Sequence, residues 1–419
     1  MKNLSKLFVV FFVTCLISCN QEDDNPLTPD TEGFEELESK WMRIALWDED
    51  GAINLLNPLE SQVVKPDLDR FSGGSSNYVS SSGRYIISLE RQDGRVLIFD
   101  TGIENHGDHA HVHGPSWLSV VAEAPLPTHF DASHGNIIIF NDGDGSVTWI
   151  RDQLLETPSF RPAIILPANT NAHHGAAAWL SGNKLAVTFQ DPEASGSLPQ
   201  YVKILDGNGE ILYENQDVKV TGIHGDASNG KYALFGGTEG VIVASQDNTL
   251  KLIPNVSPLD PSSGNWMGTL RGHDQLEVFY GLARNHGVFK IDPEAETIQS
   301  IYSGDDVHAY LISADGGHLV VQRTDGNVKV FNARTGVELG SHSILASLRG
   351  NPSARKQLTD LEIYRLMDEE NPILTLSEAF MYVLEPERDK ISIRDITTME
   401  KVKEIETPDH ITQILRVGF

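Results

Sequence analysis

Four of the fifteen histidines in this 419-residue chain fall within one octapeptide, His106-Gly107-Asp108-His109-Ala110-His111-Val112-His113. Neutral imidazoles with a carboxylate among them are the donors that borderline divalent ions such as zinc prefer. A short His-rich tract is also a compositional signal for metal binding. The bland alternative is a solvated polar loop. Other histidines recur at wider intervals, each just before or inside an apolar segment: His129 (PTHFDASHG), His174 (AHHGAAAWL), His224 (GIHGDASNG) and His308 (DVHAYLIS). His410 (PDHITQILRV) holds the same place near the end of the chain, and Met267-Gly268-Thr269 replaces the histidine in one copy. A lone histidine of this kind more often hydrogen-bonds inside a polar channel than ligates an ion. Three in register, His129, His174 and His224, are a zinc-type set that water or a carboxylate completes. Asp131 and Asp226, each two residues further on, could supply an oxygen ligand or orient an imidazole. His173 competes with His174, since strand periodicity lets only one face a given side. His308 and His410 are left as structural candidates.

No recognisable catalytic motif accompanies these residues. The chain has no Gly-rich phosphate loop, no Gly-x-Ser-x-Gly elbow and no His-Glu-x-x-His. Asp142-Gly143-Asp144-Gly145 lacks the later ligands of a calcium loop and is read as turn chemistry.

The elements that must position the histidines follow from a repeat. Apolar strands pair through tight turns, many with Asp-Gly, at residues 41–56, 83–99, 135–150, 183–205, 230–243, 275–291, 317–331 and 379–393. Eight hairpins spaced by roughly 40–60 residues are the mark of a β-propeller with four strands per blade. The fold class expected is therefore all-β, a propeller of eight blades, with seven as the alternative. Each hairpin supplies the two middle strands of a blade. The recurring histidines then sit at the start of the inner strands, which line the central channel. Residues 411–417 (ITQILRV) would close the ring against the first blade, which otherwise lacks an inner strand unless 34–39 supplies one. The octapeptide falls between the third and outer strands of the second blade, with 117–122 (WLSVVA) as the outer strand. On that reading the tract and the inner-strand histidines lie at opposite faces. The expected metal ligands are accordingly His129, His174 and His224 as an ordered set, with His106, Asp108, His109, His111 and His113 as a secondary site.

The ends of the chain speak to compartment. Lys2 and Lys6 precede an apolar run at 7–17, too short to be an expected membrane span. The run ends in Leu16-Ile17-Ser18-Cys19, which resembles the lipobox of bacterial lipoproteins. That resemblance implies a signal peptide over 1–18, lipid on Cys19 and an acidic tether over 19–34; a plain secretory signal is the alternative. One propeller domain is expected over 35–419, with an insertion near 343–371 that could be helical. The only other cysteine is Cys15, so the mature chain has neither a disulfide nor a thiol ligand. A formal charge of −27 argues against a nucleic-acid surface, and concentrates cations near the protein.

Four stretches together resemble the AztD-type periplasmic zinc metallochaperones, β-propellers that pass zinc to the binding protein of a zinc ABC importer. They are 106–113 (HGDHAHVH), 127–135 (PTHFDASHG), His173-His174-Gly175, and 223–227 (IHGDA) followed by Phe235-Gly236. The resemblance implies a zinc-binding protein of the cell envelope with an ordered site at His129, His174 and His224 and a more mobile His-rich loop at 106–113. It implies an importer's solute-binding protein as partner. This chain departs from the family in having Val220 and Gly237 where a cysteine pair is common, and in its lipobox. A monomeric, non-catalytic zinc carrier is expected. A propeller lyase or hydrolase using a channel metal or histidine, and a protein-interaction scaffold, are the competing readings.

Overall fold

The computed structural model describes residues 31–66, 74–344, 371–408 and 410–419. The expected signal peptide, Cys19 and nearly all of the expected insertion lie outside the described residues. Eight small antiparallel sheets form eight blades in a ring. Their inner strands are Ile411–Val417, Ser76–Val79, Pro127–Ser133, Ala177–Leu180, Ile223–Ser228, Thr269–Arg271, Val307–Ile312 and Ile373–Leu376, for blades one to eight. The second strands follow directly, as the hairpin spacing predicts.

These strands hold together as a ring because each sheet is buried on both faces. Alternation along a strand sends successive side chains to opposite sides. In Asn136–Asn141, Ile137 and Ile139 join the apolar cluster shared with blade two, while Ile138 and Phe140 join the one shared with blade four. The same division places Ala233 and Phe235 against blade four and Leu234 against blade six. Eight apolar clusters result, one at each interface between neighbouring blades. This explains why the second strands read as unbroken apolar runs, not as alternating ones.

Ring closure follows the expected route. The last strand pairs antiparallel with the first, from Arg43↔Val417 to Asp48↔Ile411. The alternative strand at 34–39 is not formed. That stretch falls in the helix Thr31–Leu37 and the residues after it, because Ile411–Val417 already occupies the only edge that an inner strand could use. The helix starts inside the segment read as tether. It is pinned by Phe34, 1% exposed and packed edge-on against Phe380. Glu38 Oε2 accepts hydrogen bonds from Ser377 Oγ and Tyr382 Oη, each 2.7 Å away, and Ser39 Oγ donates to the Phe419 carbonyl.

The second blade departs from the regular pattern. Its outer edge is two short pieces, Ser116–Trp117 and Ala122–Glu123, instead of one strand at 117–122. Between its third strand and that edge stands a separate hairpin, Ile103–Asn105 with Ala110–Val112, which carries the octapeptide.

Candidate metal centre

Each of the three histidines comes from a different blade. His129 lies near the start of Pro127–Ser133, His174 in the turn before Ala177–Leu180, and His224 is the second residue of Ile223–Ser228. The inner strand of blade four is short, and the strands of blades three and five touch one another past it. That close approach lets side chains from three consecutive blades meet at one mouth of the channel. One ring nitrogen from each lies within 4.8 Å of the others. The Nε2 atoms of His129 and His174 are 3.2 Å apart. Two nitrogens each about 2.0–2.1 Å from one zinc at a tetrahedral angle would stand roughly 3.3 Å apart. The pair therefore fits around an ion with little movement.

The backs of the rings decide which nitrogens are available. His174 Nδ1 donates to Asp142 Oδ2 at 2.9 Å, and His224 Nδ1 donates to the Gly268 carbonyl at 2.8 Å. Each bond places the ring proton on Nδ1 and leaves a lone pair on Nε2. Gly268 belongs to blade six, where Met267-Gly268-Thr269 stands in place of the recurring histidine. Asp142 is held in turn by Arg91, whose Nη2 donates to the same Oδ2 at 2.9 Å and whose Nε donates to Thr128 Oγ1 at 2.9 Å. Burial works to raise the Asp142 carboxyl, but the hydrogen bonds from His174 and Arg91 outweigh it and hold it below the usual range. His129 is pushed down to about 4, by burial first and then by the neighbouring His174 and His224. It therefore stays neutral, the form that ligates metal, well into the acid range.

Of the adjacent pair, His174 and not His173 joins the trio. His173 is buried, its ring packs on Phe140 at 4.9 Å, and its Nδ1 donates to the Asn171 carbonyl at 2.7 Å. His308 lies on the inner strand of blade seven and His410 is exposed just before the closing strand; neither is in the trio. Asp131 and Asp226 do not orient the imidazoles; that part falls to Asp142. The Asp142 turn was legible only as turn chemistry, because the partner it serves is in the next blade. Asp144 does act that way, its Oδ1 accepting from the Ser146 N–H at 2.9 Å. Val220 and Gly237 face one another, so that a Cβ on Gly237 would lie 2.8 Å from Val220 Cγ2.

The octapeptide lies at the opposite face. Inner strands begin at the trio's mouth and end at the far one, and third strands also end at the far one. Only part of the tract forms a ligand set. Glu104 pairs directly across the small hairpin with His111, and Glu104, His106 and His111 offer ligand atoms within 4.8 Å of one another. Glu104 was not foreseen, because it lies outside the His-rich string. Asp108 and His109 pair with each other in the exposed turn, at 2.7 Å. His113 joins Asp100 and Glu156, a third grouping close enough for an ion. That grouping already holds a cation, the Arg84 guanidinium. It donates to Asp100 at 3.0 and 2.8 Å and to Glu156 at 2.6 Å. Burial opposes the Arg84 charge, but those hydrogen bonds hold its pKa above arginine's usual value.

No protein-family model matches the chain. The zinc chaperone AztD of Citrobacter koseri is 23% identical over 344 residues, which span 81% of this chain and 78% of that protein. The solved structure of apo AztD from the same organism matches with a TM-score of 0.72 at 19% identity, over 91% of this chain and 99% of that one. The dihydro-heme d1 dehydrogenase NirN matches with a TM-score of 0.53 at 13% identity, over 90% of this chain and 75% of that one, a likeness of fold alone. The resemblance first read from four histidine-bearing stretches thus extends over most of the chain, an eight-bladed propeller similar in sequence and in fold to the zinc chaperone AztD.

Proposed function

We propose that this protein captures zinc in the cell envelope and hands it to the binding protein of a zinc importer. The observation that carries the reading is the convergence of His129, His174 and His224 from three blades, with two of the rings oriented from behind. Three neutral nitrogen donors suit zinc, and they leave a fourth position for water or for an incoming ligand of the acceptor. Such a site can give its ion up stepwise, one ligand exchanged at a time. The similarity to a protein named as a zinc chaperone favours carriage over catalysis. His106 and His111 with Glu104 form an exposed second site that loads quickly and holds weakly; Asp108, His109 and His113 lie beside it. We further propose that Cys19 carries lipid, that residues 20–30 tether the propeller to a membrane surface, and that the propeller acts as a monomer.

The deciding experiment counts zinc. The protein is loaded, dialysed against a weak chelator and assayed for bound metal. One tightly held zinc per chain is expected. It should be lost in His174→Ala/His224→Ala and kept in His106→Ala/His111→Ala. Full retention in the first variant would overturn the assignment. Mixed with zinc-free importer binding protein, the loaded chain should transfer its metal faster than it releases metal to the chelator alone.

A further inference from the structure

The strands that present the histidines carry a second pair of potential ligands deeper in the channel. Asp131 follows His129 on Pro127–Ser133 with no break in register between them, so both side chains face the channel, with Asp131 roughly 7 Å further in. Asp226 follows His224 on Ile223–Ser228, beyond the irregularity in that strand at Gly225. The two strands contact one another past the short inner strand of blade four. Both aspartates border a central cavity of about 600 Å³ that extends toward the face opposite the trio. Oδ2 of each is closed to solvent and has no hydrogen-bond partner.

An anionic oxygen in that state needs a counter-charge or a donor. Among the described residues no ion pair joins either aspartate. The basic groups that line the same cavity do not pair with either aspartate. Arg271 lies over the Tyr310 ring at 5.1 Å, and Arg416 lines the cavity with its own Nε unpartnered. His273 Nε2 donates to the Ala314 carbonyl at 3.0 Å. The third carboxylate of the cavity, Asp274, is already satisfied by Ser133 Oγ and the His134 N–H, each at 2.8 Å. Oδ2 of each aspartate is thus left without a partner, in residues that border a space large enough for water.

We propose that Asp131 and Asp226 form an oxygen-ligand seat for one divalent cation, between the histidine mouth and the central cavity. Two carboxylates balance the charge of such an ion. Carboxylate and water donors suit magnesium, calcium or manganese, whereas the three imidazoles suit zinc. The channel then holds two stations of different chemistry on the same pair of strands, one nitrogen-lined and one oxygen-lined. The seat does not depend on zinc being the cargo.

Manganese is the probe. Metal-free protein is titrated with Mn2+ and the free-ion EPR signal is followed. One tightly bound Mn2+ per chain is expected in the native protein and in His129→Ala/His174→Ala. Asp131→Asn/Asp226→Asn should lose it while keeping zinc binding at the histidines, which separates failure of this seat from failure of the zinc site. Single Asp226→Asn provides a milder variant: Mn2+ should raise the Tm of the native protein but not of this one. Manganese uptake that survives both asparagine variants would overturn the proposal. So would an absence of uptake in the native protein, together with an infrared carboxylic-acid band at neutral pH that Asp226→Asn removes. That result would mean the pair shares a proton.

Discussion

A histidine ligates zinc only through a nitrogen with a lone pair, so the partner of the other ring nitrogen decides whether a site is ready. Here Asp142 and the Gly268 carbonyl do this for His174 and His224. The carboxylate also fixes the orientation of the His174 ring toward the site. Replacing Asp142 with asparagine keeps the size and removes the charge. Zinc affinity should fall about 10–100-fold with the fold intact, as read by chelator competition and far-UV circular dichroism. Unchanged affinity would mean that the Asp142–His174 contact has no part in metal binding. Arg91 explains why this carboxylate can stay charged although it is largely buried. Its guanidinium supplies the counter-charge at 2.9 Å.

At the scale of the element, His224 depends on a local break in its strand. The pairing of Ile223–Ser228 with Tyr232–Gly237 shifts register between Ile223 and Asp226. Gly225 occupies that shift with φ at +84°, a conformation that glycine adopts freely and other residues adopt at a cost. A Cβ there would lie 2.6 Å from the Gly268 carbonyl oxygen, the same atom that holds the His224 ring. Gly225→Ala should therefore strain the backbone by about 1–3 kcal/mol and push His224 off its acceptor. Zinc affinity should drop at least about tenfold, that strain being expressed in binding, while the circular dichroism spectrum stays that of a β-propeller. Native affinity in this variant would show that the His224–Gly268 bond is dispensable. The tract makes the opposite use of an element. Its hairpin is only three residues a side and stands apart from the blade sheet, so its histidines are presented to solvent.

At the scale of the molecule, the ring gives the protein two distinct faces. The inner strands start at the trio and end beside Ser39, Ser377 and Phe419, where the N-terminal helix is fastened. The N-terminal segment therefore enters on the same face as the tract, and the trio opens on the other. If lipid on Cys19 anchors the chain, the trio faces away from the anchoring membrane, free to meet a soluble acceptor. Cell fractionation tests the anchor. The native protein should sediment with membranes and Cys19→Ala should not; a native protein found in the soluble fraction would remove the anchor from this account.

The sequence by itself determined the architecture, because an eightfold hairpin repeat and unbroken apolar second strands leave few folds other than a ring of blades. It also determined His129, His174 and His224 as a set, since equal places in successive repeats become neighbours around the channel. It indicated that the tract and the trio lie at opposite ends, which strand direction alone dictates. Residues whose meaning depends on contact across blades were not legible. Asp142 reads as a turn residue until His174 of the next blade is set 2.9 Å from it. Arg84 is an ordinary strand-entry arginine until Asp100, Glu156 and His113 close around it, which turns a grouping with ligand spacing into one already filled. Asp131 and Asp226 could be read as oxygen ligands or as groups that orient an imidazole. Only tertiary burial decided that each keeps one carboxylate oxygen without a partner beside the channel, because the solvation of an ionic group is set by its surroundings in three dimensions and not by its neighbours in the chain.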